Sequence, residues 1–226
     1  MKLSAVMATL NEEGAIGKVI EDVKKNTKGH ELEIVVVDSS SDRTAEIAEG
    51  KGAKVIRQPK SGHGIALRAA MLAAGGDVII TTDCDDTYPM DYVPKFLELI
   101  GAGYDVVSGN RMNRMTRAMP LSNRLANFGF ALIVRILYGI STNDVTTGMF
   151  AIRREVVHAI PWETNYSFPA EIIIRTNLNG FKYKQIDIPY RGRIGEVTLN
   201  KWRSGKAYLR CFLKHRFNLK IEPRLL

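Results

Sequence analysis

Glu33-Ile34-Val35-Val36-Val37-Asp38-Ser39-Ser40-Ser41-Asp42 is the stretch on which the fold turns. Its apolar core is continuous and β-branched, without the alternation of a half-exposed strand. Such a run predicts a strand buried on both faces, the mark of a parallel sheet covered by helices. The run stops at Asp38, and the Ser-rich turn after it leads into a predicted helix over 44–50. Working outward, 2–8 reads as a short strand that turns polar at Thr9-Leu10-Asn11-Glu12-Glu13. Asn11 is the expected N-cap of a helix carrying Ile16, Val19, Ile20 and Val23 at helical spacing. Downstream come a strand at 53–56, an Ala-rich helix after Gly62-His63-Gly64, a strand at 77–82, a helix at 92–100 and a strand at 104–108. Strand and helix alternate with short connections, which predicts an open, mostly parallel α/β sheet. Beyond Gly109 the rhythm changes: helices are expected at 125–138, 153–160 and 169–178, and strands at 145–152 and 182–189.

The chain has 226 residues, 45% hydrophobic and 25% charged, an ordinary globular composition that excludes disorder. Two cysteines, Cys84 and Cys211, cannot build a disulfide framework, so a reducing cytoplasmic compartment is expected. Met1 opens directly into a strand with no secretory signal. The longest charge-free apolar stretch, 125–134, is ten residues. A membrane span needs roughly 20. The net charge of +8 is concentrated: residues 1–190 carry 22 basic and 22 acidic side chains, and the last 36 residues carry ten basic against two acidic. A neutral body with a basic tail points to phosphate-rich partners. We divide the chain into a catalytic body, 1–200, and a basic amphipathic extension, 201–226.

Ligands of open α/β sheets bind at the carboxyl ends of the strands. Three such ends carry acids here: Glu12, Asp38, and Asp83-Cys84-Asp85-Asp86-Thr87. That wall repels a bare nucleotide diphosphate unless a divalent cation bridges the two, and Mg²⁺ and Mn²⁺ favour carboxylates plus substrate phosphates. Asp83 and Asp85 are placed to face one side and Asp86 another. The alternative for Asp85 or Asp86 is a cap on the helix near Asp91. Asp38 reads equally as a turn-former or a ribose ligand. No Gly-x-Gly-x-x-Gly follows the first strand, which argues against a dinucleotide site.

Taken together, these motifs resemble the family 2 glycosyltransferases. Ala8-Thr9-Leu10-Asn11-Glu12-Glu13 is similar to their opening Pro-Thr-x-Asn-Glu. Residues 35–44 resemble Val-Val-Asp-Asp-x-Ser-x-Asp-x-Thr, and Asp83 to Pro89 resembles the Asp-x-Asp metal motif with its trailing proline. Within the family the likeness runs to the dolichyl-phosphate (polyprenyl-phosphate) mannosyl- or glucosyltransferases, through Gly109-Asn110-Arg111, Asp144 to Phe150, Phe168 with Glu171, and Arg193 to Glu196. Departures are Ala8 for proline, Ser39 for the second aspartate, and Val197-Thr198 where Ser-Lys is usual.

The resemblance implies a GT-A fold, a Rossmann-like sheet with helices on both faces and C-terminal interfacial helices. It implies that Ala8, Leu10, Glu12 and Asp38 hold the nucleoside, with Lys60 and Gly62 in the adjoining loop. Asp83 and Asp85 hold metal and diphosphate, with Thr87 a further ligand. Arg111, Arg124 and Arg193, with Lys201 nearby, receive the acceptor phosphate, so that Asp85 and the three arginines form the catalytic set. The implied donor is GDP-mannose or UDP-glucose. A polyprenyl or dolichyl phosphate is already an anion near neutrality, its second pKa being about 6. It therefore attacks without a protein base, inverting the anomeric carbon.

Such an acceptor lies in a membrane. Two stretches suit its surface: 125–138, rich in Phe, Leu and Ile, and 202–217, where aromatic and basic residues alternate. The rival for each is a helix packed on the body; for Arg114, Arg117 and Arg124 the rival is a solvated charge. The expected location is the cytoplasmic face of an anionic membrane. Three other functions compete with this one: the same fold on a soluble acceptor with Asp144 or another acid as base, a nucleic-acid-binding protein using the basic tail, and a nucleotide-binding module without turnover. Strand-end acids fit poorly with a polyanion, so no nucleic acid is expected.

Overall fold

The β-branched run 34–37 lies at the heart of strand β2 (Glu31–Asp38) and is fully or almost fully buried. In this computed structural model, which describes residues 1–113, 118–195 and 201–219, β2 is one of seven strands. The others are β1 (Lys2–Thr9), β3 (Lys54–Arg57), β4 (Val78–Thr81), β5 (Val106–Asn110), β6 (Phe150–Arg153) and β7 (Tyr183–Asp187). Their order across the sheet is β3-β2-β1-β4-β6-β5-β7. Every neighbouring pair is parallel except those of β6, which runs antiparallel to both β4 and β5.

The pleat sends alternate residues of each strand to opposite faces. Val35 and Val37 enter one apolar layer, Ile34 and Val36 the other. The first layer is closed by α3 (His63–Leu72), α5 (Leu121–Tyr138), α6 (Arg154–Ala159), α7 (Phe168–Leu178) and α8 (Lys201–Phe217). The second is closed by α1 (Ile16–Asn26), α2 (Thr44–Gly50) and α4 (Val93–Gly101). A mostly parallel sheet with helices on both faces is the architecture expected from the sequence. Helix α1 buries Ile16, Val19, Ile20 and Val23, the four residues whose spacing predicted it.

Three local expectations are corrected. Asn11 caps no helix: it takes a left-handed φ of 56° and ties β1 to the β2 turn, its N–H bonding Ser40 Oγ and its Oδ1 accepting from the Ser41 N–H. Neither Asp85 nor Asp86 caps the helix near Asp91, which has no side-chain cap. The strand expected at 145–152 forms only from Phe150, and the preceding residues make a loop over the end of β4. Helix α5 packs on the body through one face and leaves apolar residues exposed on another. Asn127, Ala131 and Val134 face the core, while Leu121, Leu125, Phe128, Leu132 and Ile136 are exposed. Helix α8 buries Tyr208, Cys211 and Phe212, with Tyr208 stacked on Phe130 at 5.2 Å, and exposes Trp202, Leu209, Leu213 and Phe217. No described helix is long and apolar enough to cross a membrane.

Candidate active site at the carboxyl edge of the sheet

The chain winds from β1 toward β3 on one side and continues through β4 on the other. The carboxyl ends of β1 and β4 therefore flank the crevice in which such sheets bind ligands. Asp38 ends β2 beside Thr9 of β1 and is almost fully buried; its Oδ1 accepts from Thr9 Oγ1 and Ser40 Oγ, each at 2.6 Å. Ala8 and Leu10 lie half-buried on the same edge. Next to them Asp38, Ser39, Ser40, Arg57, Gln58, Pro59 and Lys60 line a cleft of about 340 Å³. Strands in a sheet are about 4.8 Å apart, so this cleft is two strands from the acids that follow β4.

Those acids divide as expected. Asp86, in a left-handed conformation at φ 61°, turns away to Lys18 Nζ at 2.6 Å. Asp83 and Asp85 stay with Glu12. Asp85 is 3% exposed; its Oδ1 accepts from Thr87 Oγ1 at 2.6 Å and the Thr87 N–H at 3.1 Å. Its Oδ2 accepts from Arg193 Nη1 at 2.8 Å, and Arg193 Nη2 reaches Glu12 Oε1 at 2.6 Å. Asp83 Oδ1 lies 3.4 Å from His63 Nε2. Glu12 Oε2 is buried with no hydrogen-bond partner among the described residues.

Electrostatics follow from this crowding. Burial, with the charges of Asp85, Asp83 and Asp42, pushes the Glu12 carboxyl up to about 7 although Arg193 pulls it down. Burial and the Asp83 charge raise Asp85 against the opposing pull of Thr87 and Arg193. Burial raises Asp83 too, but His63, Arg111 and Arg193 outweigh it and hold that carboxyl low. Even with a guanidinium between them, Glu12 and Asp85 stay above the ordinary carboxylate range.

The other two expected arginines are engaged elsewhere in the protein. Arg111 is 7% exposed and forms a two-pronged pair with the fully buried Asp144, Nε to Oδ2 at 2.7 Å and Nη2 to Oδ1 at 2.9 Å. It also donates to Tyr88 Oη at 3.1 Å and Thr146 Oγ1 at 2.8 Å. Arg124, in the first turn of α5, bonds the Met112 carbonyl at 3.1 Å. Arg114, Arg117 and the Val197-Thr198 position lie outside the described residues, as does the side chain of Lys201.

The sequence reading missed several supports. The Gly148 N–H bonds Tyr88 Oη at 2.6 Å and its carbonyl accepts from Thr81 Oγ1 at 2.6 Å. A Cβ there would stand 2.9 Å from Asp83 Oδ1, so the glycine leaves that carboxylate its space. Asn165 clamps the Gly62-His63-Gly64 turn: its Oδ1 accepts from the Gly64 N–H at 3.1 Å and its Nδ2 donates to the Ser61 carbonyl at 3.1 Å. Asn165 packs so closely that neither Gly62 nor Gly64 has room for a side chain. It lies about a hundred residues from the turn it holds, and no local pattern signals such a contact.

The sequence model of glycosyl transferase family 2 matches residues 4–160, through every strand end just described. The chain is a family 2 glycosyltransferase. This glycosyltransferase is 48% identical over 223 residues to a dolichyl-phosphate hexose transferase of Haloferax volcanii, covering 99% of this chain and 96% of that one. It is 30% identical to a dolichol-phosphate mannosyltransferase of Pyrococcus furiosus, covering 97% of this chain and 64% of that one. In three dimensions it resembles glucosyl-3-phosphoglycerate synthase from Mycobacterium tuberculosis, solved with Mn²⁺, uridine diphosphate and glucosyl-3-phosphoglycerate. The TM-score is 0.77 at 23% identity, over 96% of this chain and 80% of that one. That likeness establishes the shared GT-A fold.

Proposed function

We propose that this glycosyltransferase moves a hexose from a nucleotide sugar to a polyprenyl or dolichyl phosphate at a membrane surface, inverting the anomeric carbon. The observation that carries the lipid acceptor is the outer ridge of α5. Leu121, Leu125, Phe128, Leu132 and Ile136 recur at helical spacing and are all exposed, on the helix that also carries Arg124. A continuous exposed apolar ridge marks a partner surface, and a helix of this kind lies in the lipid interface. On α8 the exposed Trp202, Leu209, Leu213 and Phe217 are interspersed with Lys206 and Arg216. Each basic residue near an anionic leaflet contributes on the order of 1 kcal/mol. The names of the Haloferax and Pyrococcus relatives point the same way.

For the donor, the cleft beside Asp38, with Ala8, Leu10 and Lys60, takes the nucleoside, and the diphosphate extends toward Asp83 and Asp85. The residues fit a divalent ion: Glu12 Oε2 is buried with no hydrogen-bond partner among the described residues, Gly148 keeps the Asp83 carboxylate clear, and burial and neighbouring acids hold the Glu12 and Asp85 carboxyls above the ordinary range. Among the described residues no three His, Cys, Asp or Glu side chains form a ready-made cage. Mg²⁺ or Mn²⁺ bound to nucleotides takes one or two carboxylates and completes its shell with phosphate and water. When bound, such an ion supplies a Lewis acid that neutralises the departing diphosphate.

The chain's own residues do the rest. Thr87 orients Asp85 by two hydrogen bonds, and His63 steadies Asp83. The acceptor phosphate is already anionic and needs no base, in keeping with the burial of Asp144 under Arg111. Arg193 and Arg124, with Lys201, receive that phosphate through charge-assisted bonds. Arg111 acts as a positioning residue, fixing through Tyr88 the Gly148 loop that shapes the Asp83 pocket.

The test is transfer itself. Protein incubated with a polyprenyl phosphate and labelled GDP-mannose or UDP-glucose, with Mg²⁺ or Mn²⁺, is expected to pass label from one donor into the solvent-extractable lipid. Label appearing only on water-soluble acceptors would overturn the reading. For the membrane face, the triple variant Leu125→Glu, Phe128→Glu, Ile136→Glu should melt close to the wild type, because these side chains are exposed. It should no longer sediment with anionic vesicles; retained sedimentation would exclude α5 as the contact.

Asn165→Ala removes the acceptor for the Gly64 N–H. Donor KM should rise about tenfold, roughly one hydrogen bond's worth of free energy, with a smaller change in kcat. Asn165→Asp keeps that acceptor oxygen and should recover part of the loss. Steady-state kinetics with varied donor checks both.

A further inference from the structure

Arg193 occupies the position of a cation. Its guanidinium bridges the end of β1 and the end of β4, bonding Glu12 Oε1 at 2.6 Å and Asp85 Oδ2 at 2.8 Å. The segment around it is tied to the same loop. The Arg191 N–H bonds the Thr87 carbonyl at 3.0 Å, the Ile194 N–H bonds the Asp85 carbonyl at 2.9 Å, and the Arg191 side chain pairs with Asp91 at 3.0 Å. Residues 191–194 thus form a strap drawn across the acids, with the Arg193 head beneath it, 30% exposed.

We propose that Arg193 is a built-in competitor of the divalent ion. It holds the carboxylates of Glu12 and Asp85 in the ion's absence and leaves Asp85 when the ion and the donor diphosphate arrive. This rests on the reading of Asp83 and Asp85 as the ion-binding pair. Arg193 and the ion would compete for the same oxygens and repel each other as like charges. Thr87 donates twice to Asp85 Oδ1, so Oδ2, the oxygen Arg193 takes, is the more open one. A cation placed against that oxygen meets the guanidinium at close range, and like charges repel strongly where water is partly excluded.

The consequence is an order of binding. Without ion and donor, one N–H of each terminal nitrogen of Arg193 is engaged by the acids, which hold the guanidinium at Glu12 and Asp85. Once displaced, its planar fork of N–H groups is released beside the diphosphate, where an anionic acceptor must be held. One side chain therefore serves two anions in turn, and acceptor binding waits on donor loading.

Mn²⁺ binding to the full-length protein without donor, followed by electron paramagnetic resonance, tests the proposal. Arg193→Gln is expected to bind Mn²⁺ at least tenfold more tightly than wild type, and Arg193→Lys to fall between them. The gain should vanish when Asp85→Asn is added to Arg193→Gln. Equal or weaker binding by Arg193→Gln overturns the proposal, as does a gain that survives the loss of the Asp85 charge. The underlying reading fails separately: Mn²⁺ bound together with GDP or UDP by the wild type would then be unaffected by Asp85→Asn alone.

Discussion

Asp85→Asn should lower sugar transfer by about a thousandfold or more while the protein melts no lower than wild type. The rate loss follows from removing the carboxylate best placed to hold an ion against the departing diphosphate. A thousandfold is about 4 kcal/mol of transition-state stabilisation, within the several kcal/mol attributed to such an ion. The unimpaired melting follows from the crowding: Asp85 is buried beside Asp83 and its carboxyl is held above the ordinary range, so its charge is unfavourable in the folded state. A site kept strained for function commonly gains stability when its charge is removed. Steady-state rates and thermal unfolding of one preparation check both parts. Near-normal turnover would remove Asp85 from the chemistry, and a large fall in melting temperature would make its role structural.

Arg111→Met should have the largest effect on stability, about 3–5 kcal/mol, the usual result of breaking a buried ion pair from one side. Asp144 is fully buried, and Arg111 supplies two side-chain bonds and its backbone N–H to it. Removing the guanidinium strands that carboxylate in the interior and releases Tyr88, hence the Gly148 loop. The double variant Arg111→Met, Asp144→Leu removes both charges and should regain much of the loss. Urea unfolding of the wild type, the single variants Arg111→Met and Asp144→Leu, and the double variant gives the coupling directly. An Arg111→Met protein as stable as wild type would show that Asp144 finds another partner, and the positioning role assigned to Arg111 would fall.

The central sheet was legible because its evidence is local. The β-branched run 34–37 reads as a strand covered on both faces, and the acids at Glu12, Asp38 and Asp83 to Asp86 stand at strand ends wherever the strands lie. Periodicity likewise found α1 through Ile16, Val19, Ile20 and Val23. The separation of Asp86 from Asp83 and Asp85 followed from chain direction beyond a strand. What escaped depends on which distant groups meet. The sequence presents Arg111, Arg124 and Arg193 as equivalent phosphate ligands; folding places Arg111 on Asp144, Arg124 on a carbonyl and Arg193 on the donor-site acids. Asn11 has the composition of a cap, yet the β2 turn competes for it with Ser40 and Ser41. Asn165 carries no signal because its partners are far along the chain. Helix α5 was ambiguous for a different reason. Apolar residues on both faces fit a buried helix and an interfacial one alike, and only the packing of Asn127, Ala131 and Val134 tells the two faces apart.

The most direct measurement is a crystal structure of the protein with Mn²⁺ and its nucleotide-sugar donor, the ion located by anomalous scattering. The account predicts the ion against the carboxylates of Asp83 or Asp85, the nucleoside in the cleft beside Asp38, and Arg193 withdrawn from Asp85. A diphosphate seated away from these carboxylates, or an ion bound elsewhere with the donor in place, would contradict it.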